Sequence, residues 1–576
     1  MNIAGVRNKF IDKKTLFFVF VSYLILGLIT YKNLVFFGLA SDEYRGLYIV
    51  RNAFIVPHLK SFKVFLSPYF GQYGLLSILN YVFAFNPAPF YLTGIILRII
   101  SSLSIYILCK KIFKNHIICV IAGLYSLLAF AGVQSLWPIN SSVYLSIILM
   151  NIGLVKWIDH LEDNNFTSGG STSVIFFLIA FAVNTIRMHG LIPLVIAIEV
   201  LAVIVKKSKI SHSSKRIFIF IAGLYILKRF GFLESSYGSV YRVSDTLLNP
   251  NYYTKLDNPI GTLLFPLTTY SRLLIPQELN NIIISFLQSL SNNMIVFSIF
   301  LFFPGFILFV ISQKRLKMLA YLPISIYLIL LILTDLYIPA NLLTAKYQLF
   351  FSSFIVALFT SNLLHSVKSK AKMQLLTKSL IFIWPLLFML VPYLTWPFLE
   401  QGNESRYFSV SLVGMSLTMA SLFSIIPKKR YIIKSLFILF LVITILSNIR
   451  QSQSYINYGG ESGTYQKYIE SSFNTMNSEI GNRKNKNRPV VYLKGDRTEF
   501  AYLAIVEGGK ERFSLLNDNL SENAQPYFVY SIDEMKDIYL GKSFLKIPDI
   551  NDYFAFEIKN KKVYSISDDV RKVILN

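Results

Sequence analysis

Long apolar runs separated by short basic loops dominate the first 449 residues of this sequence. The first run, Thr15 to Phe37, holds about 23 residues, enough to cross ~30 Å of hydrocarbon and longer than a signal-peptide core. Arg7, Lys9, Lys13 and Lys14 precede it against Asp12, so it reads as an uncleaved anchor with a cytoplasmic N-terminus. Further runs follow at Phe90 to Leu108, His116 to Ala131 and Val143 to Trp157. Val174 to Val205 spans about 32 residues, ~48 Å as one helix and too long for one crossing. Asn184 to Gly190 interrupts it, which predicts two short helices joined by an outer turn. The remaining runs are Ile217 to Leu233, Met294 to Ile311, Met318 to Ile338, Tyr347 to Leu364, Ser379 to Phe398, Tyr407 to Ile426 and Ile432 to Ile449.

The basic loops set the orientation. Lys110, Lys206, Lys314, Lys368 and Lys428 each mark a cluster that falls on one side of about 13 spans, the side the positive-inside rule makes cytoplasmic. The loop from Trp157 to Ser173, with Asp159, Glu162 and Asp163, is the exception, and acidic residues contribute little to orientation. Two long loops fall outside, at 38–89 and 234–293. Within the first, Tyr69 to Phe85 is an apolar, aromatic run that either spans or lies in the interface; its Tyr and Phe content favours the interface.

From Arg450 the pattern changes. Short strand-like runs at Pro489 to Leu493, Tyr527 to Tyr530 and Tyr553 to Ile558 alternate with helix-like stretches such as Ile532 to Leu540, and Asn560-Lys561 is placed to turn a hairpin into Val563 to Ile566. The expected architecture is therefore an all-α polytopic membrane domain over 1–449, with about 13 transmembrane helices, and a small extracytoplasmic α/β domain over 450–576.

Composition agrees. With 54% hydrophobic and 15% charged residues and a mean hydropathy of +0.52, the chain cannot bury its apolar surface as a soluble domain. The net charge of +25 invites a nucleic-acid reading. However, residues 450–576 hold 18 of the 56 basic and 17 of the 31 acidic residues, which leaves 38 against 14 in the membrane part. Cytoplasmic loops account for that excess, and no nucleic-acid partner is expected. Cys109 and Cys119 imply neither a disulfide framework nor a metal cluster. No Walker loop, GxGxxG, zinc spacing or internal repeat is present.

The candidate chemistry opens with Gly38 to Phe54, GLASDEYRGLYIVRNAF, which follows the first span directly. Asp42 and Glu43 form an adjacent carboxylate pair at the mouth of a membrane helix, followed by Tyr44 and Arg45. Such a pair either marks the water boundary or supplies a general base. Arg187 and His189 sit in the interrupting turn; a cation at that depth suits a phosphate, because the planar guanidinium binds two oxygens. Lys228 and Arg229 lie near the outer end of their span, where they either bind a lipid phosphate or snorkel to headgroups. Arg242, Arg272 and Arg406 are further outer cations, and tyrosines such as Tyr69 can stack on sugars.

This organisation resembles the C-type integral membrane glycosyltransferases, the superfamily of protein O-mannosyltransferases and lipid A aminoarabinose transferases. Ser41-Asp42-Glu43-Tyr44-Arg45 stands where the acidic motif of the first outer loop belongs, and Ser67-Pro68-Tyr69 with Tyr73-Gly74 is similar to its later Pro-rich aromatic segment. Thr185-Ile186-Arg187 with Gly190 resembles the Arg-containing turn, and Glu404-Ser405-Arg406-Tyr407 the Arg-Tyr opening a late helix. Leu66 and Ser67 stand where a phosphate-binding lysine precedes the proline, a departure for which Lys60 or Lys63 is the substitute.

The resemblance implies transfer of a sugar from a polyprenyl-phosphate-linked donor to a glycan, lipid or protein acceptor on the outer face of the cytoplasmic membrane. It implies an outer-loop Asp as base and inversion at C1. The neighbouring carboxylate either orients the acceptor or binds a divalent metal ion; no cofactor is otherwise implied. The competing readings are a non-enzymatic transporter or flippase of a lipid-linked glycan, and a polysaccharide polymerase.

Overall fold

The computed structural model describes residues 12–39, 41–55, 65–84, 86–113, 115–163, 169–232, 321–337, 343–368, 372–395, 408–425, 431–481, 488–495, 509–516, 525–543, 549–560 and 562–576, with isolated positions between 260 and 305. The chain divides into two compact units. One comprises Met1–Thr30, Leu66–Gly71 and Gly94–Ser452, the other Tyr31–Phe65, Gln72–Thr93 and Gln453–Asn576.

The described helices begin with α1 (Lys13–Tyr31), α2 (Ser41–Ile55), α3 (Phe70–Phe83), α4 (Pro87–Phe113), α5 (His116–Leu128), α6 (Ser142–Asp163) and α7 (Gly169–Val183). After them come α8 (Thr185–Met188), α9 (Leu191–Ile204), α10 (Ile210–Arg229), α11 (Tyr321–Tyr337), α12 (Leu343–Lys368), α13 (Lys372–Thr395), α14 (Ser411–Ile425) and α15 (Tyr431–Gly481). In the first unit α6 packs on α7, α9 on α10 and α13, α11 on α12, and α14 on α5 and α13.

Seven helical stretches among the described residues are long and apolar enough to cross a membrane: Lys13–Phe36, Pro87–Phe113, Pro138–Glu162, Thr185–Ile204, Ile210–Arg229, Tyr347–Val367 and Lys372–Met389. Their outer faces carry exposed Phe17, Phe18, Ile25, Ile196, Phe218 and Ile221, surface that lipid covers and water does not tolerate. The protein is an integral membrane protein. The expected count of about 13 is not reached among the described residues. Four of the expected spans are shorter apolar helices, His116–Leu128, Gly170–Val183, Tyr321–Tyr337 and Ser411–Ser424. The run from Met294 to Ile311 lies almost wholly outside the described residues.

The long run at 174–205 is broken as its polar interruption predicts, into α7, α8 and α9. The helix α3 has 14 residues, about 21 Å at 1.5 Å per residue, which is short of a hydrocarbon crossing. The expected stop near Ile449 does not occur: α15 runs for 51 residues through that position. No proline lies between Pro427 and Pro489, so nothing forces the backbone to leave the helix where hydrophobicity ends.

In the second unit the sheet consists of β1 (Val490–Lys494), β2 (Tyr527–Val529), β3 (Tyr553–Lys559) and β4 (Lys562–Ser565), in the order β2-β1-β3-β4. β1 is parallel to both β2 and β3, and β3 is antiparallel to β4 across a turn in which Asn560 adopts φ +51°. Side chains alternate along each strand. Val491, Leu493, Phe554 and Phe556 face Phe473, Met476 and Ile480 of α15 and Phe513 of α16 (Gly509–Leu516). Val490, Tyr553 and Ala555 face Met535 and Ile538 of α17 (Ile532–Tyr539) and Val570 and Ile574 of α18 (Ser567–Leu575). The result is a helix–sheet–helix sandwich whose first three strands fall on the short apolar runs at Pro489 to Leu493, Tyr527 to Tyr530 and Tyr553 to Ile558.

Candidate functional site

The turn between α7 and α9 is built to hold one guanidinium. Asn184 caps α8, its side-chain oxygen accepting from the Arg187 amide at 3.3 Å, while its Nδ2 donates to Ser142 Oγ at 3.0 Å. This fixes the turn against the start of α6. Arg187 is 6% exposed. Its Nη1 donates to Ser135 Oγ at 3.0 Å and its Nη2 to Asn140 Oδ1 at 2.6 Å, and Ser135 in turn shares a 2.7 Å hydrogen bond with Ser409 Oγ. Ser135 and Asn140 hold the guanidinium in place, and its planar fork suits an oxyanion. His189, half-buried, bonds through Nδ1 to the Ile186 carbonyl at 3.0 Å and stands edge-on to Phe181. These contacts seat it as part of the turn.

Two other predicted segments meet beside this turn. The segment Leu66–Gly71, which carries Ser67-Pro68-Tyr69, enters α3 with Gly71 so close to Val183 that any Cβ there would collide with the Val183 carbonyl oxygen. Val183 directly precedes Asn184. At the other end of the segment, Gly231 adopts φ +94°, and a Cβ on it would stand 2.7 Å from the Leu66 carbonyl oxygen. Phe70 and Phe232 close the contact as an edge-to-face pair, 5.5 Å between centroids. The Pro-aromatic segment is thus clasped between the Arg187 turn and the end of α10. Tyr69 is half-buried within it, its amide donating to Ser67 Oγ at 3.3 Å.

The end of α10 carries Lys228 and Arg229, both exposed. Arg229 donates to Tyr225 Oη from Nε at 2.9 Å and from Nη2 at 2.7 Å, and lies over that ring. Both cations also sit favourably at a helix C-terminus.

The carboxylate pair lies in the second unit. Asp42 is in the first turn of α2; its side chain lies outside the described ones. Glu43 is wholly buried, at 0% exposure. The reason is the packing of α2 against α16 from the C-terminal region. Tyr44 is buried with it, beneath the guanidinium of Arg512, and Arg45, one residue on, is exposed. Lys60, Lys63, Arg242, Arg272 and Arg406 lie outside the described residues. Among the described residues no three of His, Cys, Asp and Glu gather as a metal site requires.

Two buried charge clusters escape the sequence reading. Arg98, at the middle of α4 and 1% exposed, donates to the carbonyls of Ser126 at 3.3 Å and Ala129 at 2.5 Å and to Tyr144 Oη at 3.3 Å. Arg216 forks onto Glu199, 2.7 Å for both bonds, with His160 on its Nη1 and Trp157 Nε1 donating to the same carboxylate. The signal in each case is a lone charge inside or beside an apolar run, which inside a membrane is costly unless partnered.

No family model matches the chain, and no curated protein matches it. Among solved structures it is similar to ArnT from Cupriavidus metallidurans bound to undecaprenyl phosphate. The identity is 9%, over 93% of this chain and 92% of that one, and the TM-score is 0.32, too low to assign a shared fold.

Proposed function

We propose that this protein is a membrane glycosyltransferase that takes a sugar from a polyprenyl-phosphate-linked donor. The observation that carries the reading is the clasp: Ser67–Tyr69, the Arg187 turn and the cationic end of α10 are gathered in one unit. A buried guanidinium in a membrane turn is suited to a lipid-borne phosphate, and aromatic side chains beside it suit a sugar. Arg187 holds the donor phosphate, with Lys228 and Arg229 as an outer ring of positive charge.

Asp42 is the general base. An acceptor hydroxyl, on a glycan, lipid or protein, loses its proton to the Asp42 carboxylate as its oxygen bonds to the sugar C1. The C1–O bond to phosphate breaks from the opposite face, the polyprenyl phosphate departs with the electron pair, and the anomeric configuration inverts. Glu43, buried where α2 packs on α16, orients α2.

The test is binding of undecaprenyl phosphate to the purified protein in nanodiscs. Arg187→Ala weakens it by at least about tenfold, and Arg187→Lys, which keeps charge and loses the fork, by less. Unchanged binding by folded Arg187→Ala removes the phosphate assignment.

A further inference from the structure

Where α9 gives way to α10, and where α13 begins, the first unit holds a cavity of about 880 Å³. Lys206, Lys207, Lys209 and Lys372 line it, and among the described residues no carboxylate does. The catalytic reading makes no use of it. We propose that this cavity binds the phosphate headgroup of an anionic phospholipid.

The site is built rather than a chance gathering of surface lysines. Lys206 takes a left-handed backbone, φ +56°, and the amides of Lys207 and Ser208 both turn back to the Ala202 carbonyl, at 2.8 and 3.1 Å. That turn satisfies the last carbonyls of α9 and fans three lysines around one opening. Ser208, on the wall, is held in place: its Oγ accepts from Arg216 Nη2 at 3.0 Å and from Ser213 Oγ at 2.9 Å. Arg216 is itself anchored by Glu199.

The helix directions add to the charge. Both α10, from Ile210, and α13, from Lys372, begin at this cavity, and their N-terminal amides and dipoles favour an anion. No side chain caps α10.

The surroundings select a lipid over a free anion. Ile204 is 67% exposed and Ile210 70% exposed, one on each side of the three clustered lysines in sequence. Both belong to helices apolar enough to span a membrane. An occupant with a phosphate for the lysines and hydrocarbon for the two isoleucines satisfies both. Basic pockets between membrane helices use the same chemistry.

The experiment compares lipid retention by the full chain. Protein in mixed micelles is offered equal dioleoylphosphatidylglycerol and dioleoylphosphatidylcholine, and bound lipid is counted by native mass spectrometry. Preference for phosphatidylglycerol is expected to be about tenfold or more, and to fall to near parity in the Lys206→Gln/Lys207→Gln/Lys209→Gln/Lys372→Gln variant. Lys14→Gln/Lys110→Gln, outside the cavity, should retain it. Equal retention of both lipids by the wild type, which needs no variant to fold, overturns the proposal. So does full displacement of the lipid by millimolar glycerol phosphate, since the site would then recognise the free headgroup alone. The outcome is independent of Asp42 and Arg187.

Discussion

Arg512 lies over the ring of Tyr44, 4.7 Å from its centroid, and over Phe473 on α15 at 4.3 Å. A residue near the end of the chain thus pins the residue next to the acidic pair. Its Nε is buried without a hydrogen bond, so the two aromatic faces carry its desolvated charge. Arg512→Leu is expected to lower stability by about 1–2 kcal/mol and to loosen α2, read as faster hydrogen exchange of residues 43–50. Exchange unchanged from the wild type would detach Tyr44 from this role.

Asp42→Asn keeps size and cannot accept a proton at neutral pH. Transfer should fall by about 10²–10⁴ while donor binding stays intact. Glu43→Gln should act differently, because Glu43 is buried: the expected effect is on thermal stability first. A variant of Asp42 with normal turnover would end the base assignment.

Gly71→Ala places a methyl against the Val183 carbonyl. The clash should cost about 1–3 kcal/mol and displace the Pro-aromatic segment from the Arg187 turn. Reduced affinity for undecaprenyl phosphate should accompany the loss of stability. An affinity equal to the wild type would show that the clasp serves folding alone.

Glu199→Ala leaves Arg216 charged and buried, and should cost about 3–5 kcal/mol. The double variant Glu199→Met/Arg216→Leu should recover most of it, as measured by thermal unfolding in detergent. If the double variant is as unstable as the single, the pair contributes through geometry beyond its charge balance.

Topology is open to labelling, since Cys109 and Cys119 are both buried and give little background. A cysteine at exposed Ser214 should be protected from an impermeant maleimide in intact cells, and one at Lys542 should react. Labelling at Ser214 from outside would reverse the orientation proposed for Asp42.

The parts of this fold visible in the sequence are those governed by period and solvent. Short apolar runs placed β1, β2 and β3, and the Asn184 to Gly190 interruption predicted the breaks around α8. Burial by distant chain could not be read. Nothing in Asp42-Glu43-Tyr44 announces that α16, more than 450 residues later, covers Glu43. Arg187 was legible as a cation in a membrane turn; its partners Ser135 and Asn140 were not, because small neutral residues carry no signal until the fold gathers them. Arg98 and Glu199 show the converse, single charges within apolar runs whose spacing gives no hint of their partners.

Arg98 also bears on how the chain enters the bilayer. Alone, α4 would carry an arginine into hydrocarbon, at about 2.5–3.5 kcal/mol on insertion scales. The carbonyls that receive it, at Ser126 and Ala129, belong to the last turn and immediate end of α5. Only two residues, Lys114 and Asn115, separate the two helices. Delayed release of α4 from the insertion machinery until α5 has emerged, so that both partition as one hairpin, is the order of biogenesis this pairing favours.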